Sequence, residues 1–432
     1  MHEKKMNKRI HLCNLGCSKN IVDGERIAAY LQESDFELVE SPGDAQIIIV
    51  NTCAFIREAK EEAIETIIEM ARFKEAGTCE LIAVAGCFAE RYRREAAQDL
   101  PEVDIWMGIG DWPEVLRKHL HTHGKPGYHR HLTGSGGTQY LKISDGCSHR
   151  CAFCAIPAIR GPFASRPLAE IVEEAQWLQN QGVNECILVS QDTSFYGRDS
   201  ETTLVRLLET LLANTSFPWI RMMYLHPRFI TDDLLSLVGA EQRLCSYFDI
   251  PLQHIADPIL SAMRRRPHSK ETYRLVERIR RHVPDAALRT SFIIGFPGET
   301  KSHFEKLLHF VEWARFEKVG VFPFSPEEDT PAYTMRPRPR TATVERRCDT
   351  LMTIQREISR EINEDRVGTT IPVIIDEVSE DPDYNFMGRT QWDAPEIDGN
   401  VYVLDGSFSP GSIGSLRIVD ASDYDLFAQT EA

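Results

Sequence analysis

Long apolar runs are absent from this sequence. No window approaches the roughly 18 consecutive apolar residues that a membrane span requires, so no segment is expected to cross a bilayer. The basic opening MHEKKMNKRIHLCNLGC is followed by only about two apolar residues in a row, short of a secretory core, which makes the cytoplasm the expected address. Positive charge is scarce at the other end: residues 366–432 hold 3 Arg and no Lys against 13 Asp plus Glu, a net −10 of the chain's −16. Such a segment repels phosphate and attracts basic protein, although a merely solubilising acidic end reads the same way. A fourth cysteine is missing too. DGCSHRCAFCAIP, 145–157, carries three at C-x-x-x-C-x-x-C spacing, where a structural zinc or a cubane iron–sulfur cluster ordinarily takes four thiolates.

What is present fits a globular protein. At 432 residues the chain exceeds one hydrophobic core, and its 42% apolar content suffices for several. Over 9–118, short apolar runs (RIHLC, QIIIVNTC, LIAVAGC) alternate with amphipathic helical stretches, the pattern of an open parallel sheet with helices on its faces. Each run ends at, or within a few residues of, Cys17, Cys53 or Cys87, and ligands in such sheets bind beyond the carboxyl ends of the strands. Residues 119–138 lack periodicity and read as a linker, whose five histidines are explained by a solvated connector. Alternation resumes over 139–340, with about six strands that predict a partial (β/α) barrel, and the three-cysteine motif follows the first of them. A charged helix over 341–365 leads to short alternating runs over 366–432, a small antiparallel β-barrel. The fold class expected is therefore α/β throughout the first two units and all-β in the third.

Eleven cysteines scattered at random through 432 positions would form the observed triplet about 0.007 times per chain, so the spacing is not accidental. In a reducing compartment it points to metal rather than disulfides. Zinc would need a fourth ligand, with His149 the candidate inside the motif. The other reading is a 4Fe–4S cluster held by Cys147, Cys151 and Cys154 with its fourth iron open to a substrate.

That triplet, on a loop after the first barrel strand, resembles the radical S-adenosylmethionine enzymes. The resemblance implies that the open iron chelates S-adenosylmethionine and that one electron releases a 5′-deoxyadenosyl radical, which takes a hydrogen no side-chain base can remove. It also implies S-adenosylmethionine contacts from Phe153, from Ser190, Gln191 and Asp192 of SQDTS, and from Gly295, Gly298 and Glu299 of GFPGET. A structural turn is the alternative for the two glycines. The order of units, with LGCSKNIVDGER, VNTCAFI, VAGC and SDGCSHRCAFCAIPAIRG, is similar to the methylthiotransferases over essentially the whole chain, the terminal barrel being TRAM-like. By that resemblance Cys17, Cys53 and Cys87 hold a second 4Fe–4S cluster that carries sulfur, and a flavodoxin or ferredoxin supplies electrons. Cys13 is extra to the pattern, and Cys79, Cys186, Cys245 and Cys348 are structural. One branch modifies adenosine in transfer RNA; the other adds a methylthio group to the β-carbon of an aspartate in a small-subunit ribosomal protein. SHRCAFCAIPAIRG, SQDTSFYG and DIPLQHI resemble the second branch, and the acidic terminal unit agrees with a basic protein partner rather than nucleic acid. A zinc-dependent nucleic-acid-binding module is disfavoured by the net −16.

Overall fold

The computed structural model describes residues 8–134 and 136–431. The expectations touching residues 1–7, 135 and 432 lie outside the described residues. The N-terminal unit comprises β1 (Arg9–Asn14), α1 (Ser18–Gln32), β2 (Glu37–Leu38), β3 (Ile47–Thr52), α2 (Arg57–Glu75), β4 (Leu81–Gly86), α3 (Cys87–Asp99), β5 (Ile105–Trp106) and α4 (Trp112–Leu120). Its five strands form a parallel sheet in the order β2-β1-β3-β4-β5. Strand β3 explains the two layers of core. Its side chains alternate, so Ile47 and Ile49 pack with Ile27 and Leu31 while Ile48 and Val50 pack with Ile67 and Phe88 on the other face. The two-residue edge strands β2 and β5 are too short to leave any periodic signal.

The segment expected as a solvated linker is partly stitched in. Helix α4 occupies its first residues, and the Arg130 side chain is fully buried between Glu25 of α1 (2.7 Å) and Glu174 (3.1 Å).

The central unit runs β6 (Thr138–Lys142), β7 (Ser144–Asp145), α5 (Ile156–Arg160), β8 (Ala164–Ser165), α6 (Leu168–Asn180), β9 (Glu185–Val189), α7 (Leu204–Asn214), β10 (Trp219–Met222), α8 (Asp232–Ala240), β11 (Tyr247–Asp249), α9 (Asp257–Ala262), α10 (Ser269–His282), β12 (Ala287–Ile294), α11 (Lys301–Ala314) and β13 (Lys318–Pro323). Two parallel sheets, β6-β9-β10 and β11-β12-β13, meet through the Ile220–Leu244 bridge to make a six-strand open barrel. The strand expected over YFDIPLQ stops at Asp249: Pro251 has no N–H to donate, and of the residues beyond it Gln253 alone, at φ 73°, pairs again with β12.

Helix α12 (Thr341–Glu364) returns along the barrel, its buried Gln355 donating to the Phe316 carbonyl (2.8 Å). The terminal unit, β14 (Thr370–Val378), β15 (Phe386–Thr390), β16 (Val401–Val403), β17 (Ile413–Ala421) and β18 (Leu426–Gln429), closes in the order β14-β15-β16-β18-β17. One pair, β16–β18, is parallel, so the barrel is not uniformly antiparallel as expected. It docks at the N-terminal ends of the central strands: Glu185, the first residue of β9, accepts from Arg221 (2.6 Å) and from Arg389 of β15 (2.9 Å), all three buried. Tyr247, which opens β11, donates to Asp398 (2.7 Å).

Candidate active site

The opposite, C-terminal ends of the strands carry the cysteines. Past β6 the chain makes a small ribbon, β7 against β8, that closes the loop between them. Cys147 N–H donates to the Gly161 carbonyl (3.1 Å), and Gly146, at φ +71°, has no room for a Cβ, which would lie 2.1 Å from the Pro162 carbonyl oxygen. Backbone bonds at Ala152 tie the loop to Met263 and Ala332 (2.8 Å each). Cys147, Cys151 and Cys154 all sit on this clamped loop. Burial pushes the Cys147 thiol up to about 11 and Cys154 to about 12, each further raised by its neighbouring thiols. The Arg265 guanidinium lies 3.6 Å from Cys151 Sγ.

The second trio gathers where the sequence placed it. Cys17 caps α1, Cys53 follows β3, and Cys87 opens α3. Two glycines let these turns approach: a Cβ on Gly16 (φ +94°) would stand 2.7 Å from that of Cys53, and one on Gly86 (φ +88°) 2.6 Å from the Thr52 carbonyl oxygen. Burial opposes ionisation of Cys17, but Lys19, Arg160 and the Asn20 and Lys19 N–H groups outweigh it and lower its pKa. Cys87 is pushed to about 12, chiefly by burial. Cys13 is not part of this group. It packs against the α2 side of the sheet, where burial and then Glu69 and Glu62 raise its pKa.

The spacing of both trios bears on which metal fits. Among the described residues, the side chains whose ligand atoms all fall within 4.8 Å of one another are His149, Asp192 and His226; neither cysteine trio closes that far. A tetrahedral zinc needs a fourth donor beside three thiols, and His149, the candidate inside the motif, is held by Asp192. Three soft donors, unpaired by disulfides and flanked by guanidinium, suit an iron–sulfur cluster with several metal atoms. His149 does not join the thiols. Its Nε2 bonds Asp192 (2.6 Å) and its ring stacks on His226 at 4.4 Å, whose pKa burial drives far down. His226 Nδ1 accepts from Arg228 N–H, and Asp192 also accepts from Ser194 and Phe195, so this trio is a hydrogen-bonded structural unit.

Arg160, which lies at the end of the SDGCSHRCAFCAIPAIRG stretch but carried no expected role there, links the two trios. Two residues of helix lie between it and Pro157, directly after the loop, and its side chain is 2% exposed. It donates to Asp23 of α1 (3.0 Å), to both oxygens of Asp145 (3.1 Å), to Asn20 (2.6 Å), and to Cys87 Sγ (3.5 Å). Lys142 bonds the same two carboxylates. Burial alone would raise Asp145, yet Lys142 and Arg160 hold it well below the usual carboxylate range.

The residues expected around S-adenosylmethionine fall into two groups. Gln191 donates to Asp145 (3.1 Å) while its buried Oε1 has no partner, an orphaned acceptor at the strand ends that suits an ammonium group. Phe153, on the cysteine loop itself between Cys151 and Cys154, packs against the apolar cluster that holds Phe296, Met263 and Ala332. Ser190 and Asp192 are spent on their own turn, Ser190 accepting from Asp192 N–H (3.0 Å). Glu299 accepts from Gly295 N–H (2.7 Å) and pairs with Arg347 of α12. Gly295 has a packing reason, since a Cβ there would lie 2.5 Å from Val344; Gly298 (φ +87°) faces open space.

A cysteine loop at the mouth of an open (β/α) barrel, with an unsatisfied acceptor beside it, defines a radical S-adenosylmethionine enzyme. The Radical SAM superfamily matches residues 141–311, the Uncharacterized protein family UPF0004 matches 9–108, and the TRAM domain matches 367–430. The radical enzyme TsrM from Kitasatospora setae superposes with a TM-score of 0.58 at 14% identity, covering 84% of this chain and 76% of that one, and so shows the fold.

Full-length relatives are more specific. A ribosomal protein uS12 methylthiotransferase of Pelobacter propionicus is 43% identical over 99% of both chains, one of Syntrophus aciditrophicus 44% identical over 97% of this chain and 98% of its own, and one of Geobacter sulfurreducens 41% identical over 98% of both. The chain belongs to the ribosomal protein uS12 methylthiotransferase family, whose radical chemistry uses S-adenosylmethionine and a 4Fe–4S cluster. No helix of the described residues is long and apolar enough to cross a membrane.

Proposed function

We propose that this protein adds a methylthio group to the β-carbon of an aspartate of ribosomal protein uS12, with Cys147, Cys151 and Cys154 holding the cluster that cleaves S-adenosylmethionine and Cys17, Cys53 and Cys87 holding a second cluster that delivers sulfur. When bound, the first cluster supplies the electron that yields methionine and a hydrogen-abstracting radical, and the second supplies the methylthio sulfur. The observation that carries this reading is Arg160. One guanidinium reaches from the helix behind the first trio to Cys87 of the second, which supports the two donor sets acting at one site.

The residues around that cleft have separable tasks. Gln191 Oε1 accepts the ammonium of S-adenosylmethionine, Phe153 flanks its adenine, and the backbone of Gly295 and Gly298 borders the ligand. Ser190 and Asp192 hold the turn that presents Gln191, and Glu299 holds the glycine turn. Arg160 and Arg265 offset thiolate charge in a region of low dielectric. A flavodoxin or ferredoxin supplies the electrons, the reaction takes place in the cytoplasm, and the acidic terminal barrel disfavours a nucleic-acid substrate.

Anaerobic reconstitution tests this. Wild type is expected to bind about eight irons, and Cys53→Ala and Cys151→Ala about four each. Cys151→Ala loses S-adenosylmethionine cleavage; Cys53→Ala keeps part of it but leaves uS12 unmodified by mass spectrometry. Full methylthiolation by Cys53→Ala would remove the second trio from the mechanism.

A further inference from the structure

Lys19 is the second residue of α1, two positions beyond Cys17, and only 8% of it is exposed. Its ammonium lies 3.4 Å from the centroid of the Tyr224 ring. Tyr224 follows the C-terminal end of β10 at φ 61°, fixed by Asp249 on its N–H (2.9 Å) and by Thr193 N–H on its carbonyl (3.0 Å). Its hydroxyl is 3.4 Å from Ser18 Oγ. The ammonium therefore stands between the sulfur-bearing trio and the barrel mouth.

Among the described residues Lys19 forms no ion pair with a carboxylate; the groups that favour its charge are the Cys17 thiol, whose pKa it lowers in turn, and Tyr224. The carboxylates around the cleft are committed elsewhere: Asp23 and Asp145 to Lys142 and Arg160, Asp192 to His149, Asp249 to Arg289. A strongly hydrated ammonium stripped of water normally requires a counter-charge. A ring face satisfies one side of it and leaves donors over. Removing a hydrogen from an aspartate β-carbon requires holding that carbon within reach of both cofactors. The carboxylate is one bond, about 1.5 Å, from it, so a cation that fixes the carboxylate fixes the reacting carbon.

We propose that Lys19 receives the carboxylate of the target aspartate, with Tyr224 as the floor of that subsite. The proposal rests on the uS12 reading above and adds to it the residue that selects the acidic side chain. Lys19→Arg keeps the charge, whereas Lys19→Met and Lys19→Gln remove it.

The test is a double-substitution cycle in binding. Dissociation constants are measured anaerobically for reconstituted holoenzyme with S-adenosylmethionine, against purified uS12 and uS12 with its target Asp replaced by Asn. Wild type should prefer the aspartate form by roughly 10- to 100-fold, the range of a hydrogen bond to a charged partner. Lys19→Met and Lys19→Gln should bring the ratio close to one while leaving affinity for the Asn form in place; Lys19→Arg should restore most of the preference. An unchanged ratio in both neutral variants overturns the proposal, as does a ratio that falls only together with the loss of about four irons, which would make Lys19 a counter-ion of the second cluster. A wild-type enzyme that binds and modifies neither form fails the uS12 reading itself, a result distinct from either.

Discussion

Arg160→Met removes one guanidinium and tests whether the two cysteine-bearing units are held together electrostatically. The lost partners are Asp23, Asp145, Asn20 and Cys87. Breaking a buried ion pair costs about 3–5 kcal/mol because the remaining charge is stranded. Here Lys142 stays beside both carboxylates, and the Asp23 and Asp145 side chains keep 17% and 30% exposure, so the low end, about 3 kcal/mol, applies. That is roughly a 100-fold shift in a local opening equilibrium. Hydrogen exchange of the α1 segment, which carries Asn20 and Asp23, reads it directly. Protection there should fall by roughly two orders of magnitude while α10, which shares none of these bonds, keeps its rate. Asp23→Asn alone should have a smaller effect, and the two substitutions together should fall short of the sum. Strict additivity, or an equal loss of protection in α10, would refute the clamp.

Gly295→Ala forces both a positive φ and a contact at 2.5 Å with Val344, so it should destabilise by about 2–4 kcal/mol, whereas Gly298→Ala meets nothing and should cost about 1 kcal/mol; thermal unfolding separates them. Glu185→Gln should destabilise the terminal-barrel junction by about 3 kcal/mol in urea denaturation, because Arg221 and Arg389 lose a fully buried carboxylate. That junction also predicts an acid response. Burial works against the Glu185 carboxylate, but Arg221 and Arg389 outweigh it and lower its pKa from 4.5. Its stabilisation is therefore complete above the unfolded value and lost as pH falls through the folded one. Glu185→Gln should lack that part of the acid transition, and an unchanged acid midpoint slope would contradict the assignment.

Much of the candidate site was legible because motif spacing is local. Cys147, Cys151 and Cys154 need one loop, and Cys17, Cys53 and Cys87 need only equivalent positions after parallel strands. The place of Cys13, extra to the pattern, comes from the structure: Ile10 and Leu12 pack on one face of β1 and Cys13 on the other, toward α2. Arg160 and Lys19 were not legible as site residues. Each looks like an ordinary surface charge in its own helix, and its burial exists only once α1 is docked against α5 and Tyr224. Gly295 shows the converse, a strand-end glycine whose steric reason is Val344, a residue of the distant helix α12. The docking of the terminal barrel was hidden for the same reason, since Glu185, Arg221 and Arg389 become partners only in three dimensions.

That docking separates two electrostatic tasks. The terminal barrel, net −10 over 366–432, sits at the N-terminal ends of the central strands, while the cysteine loops leave from the C-terminal ends. A five-residue strand such as β9 spans about 17 Å, and charges are screened over about 8 Å at physiological ionic strength, so the acidic barrel cannot set the local environment of the target carboxylate. On the proposed function it accelerates the approach of a basic partner. On the Lys19 proposal the choice of aspartate falls instead to a buried cation, which salt screens only weakly. Raising salt from about 50 to 300 mM should therefore slow association with uS12 several-fold while the preference for its aspartate over the Asn form persists. Stopped-flow association beside equilibrium binding measures both. If the preference and the association rate decline in parallel, the selecting charge lies on the exposed surface and not beside Tyr224.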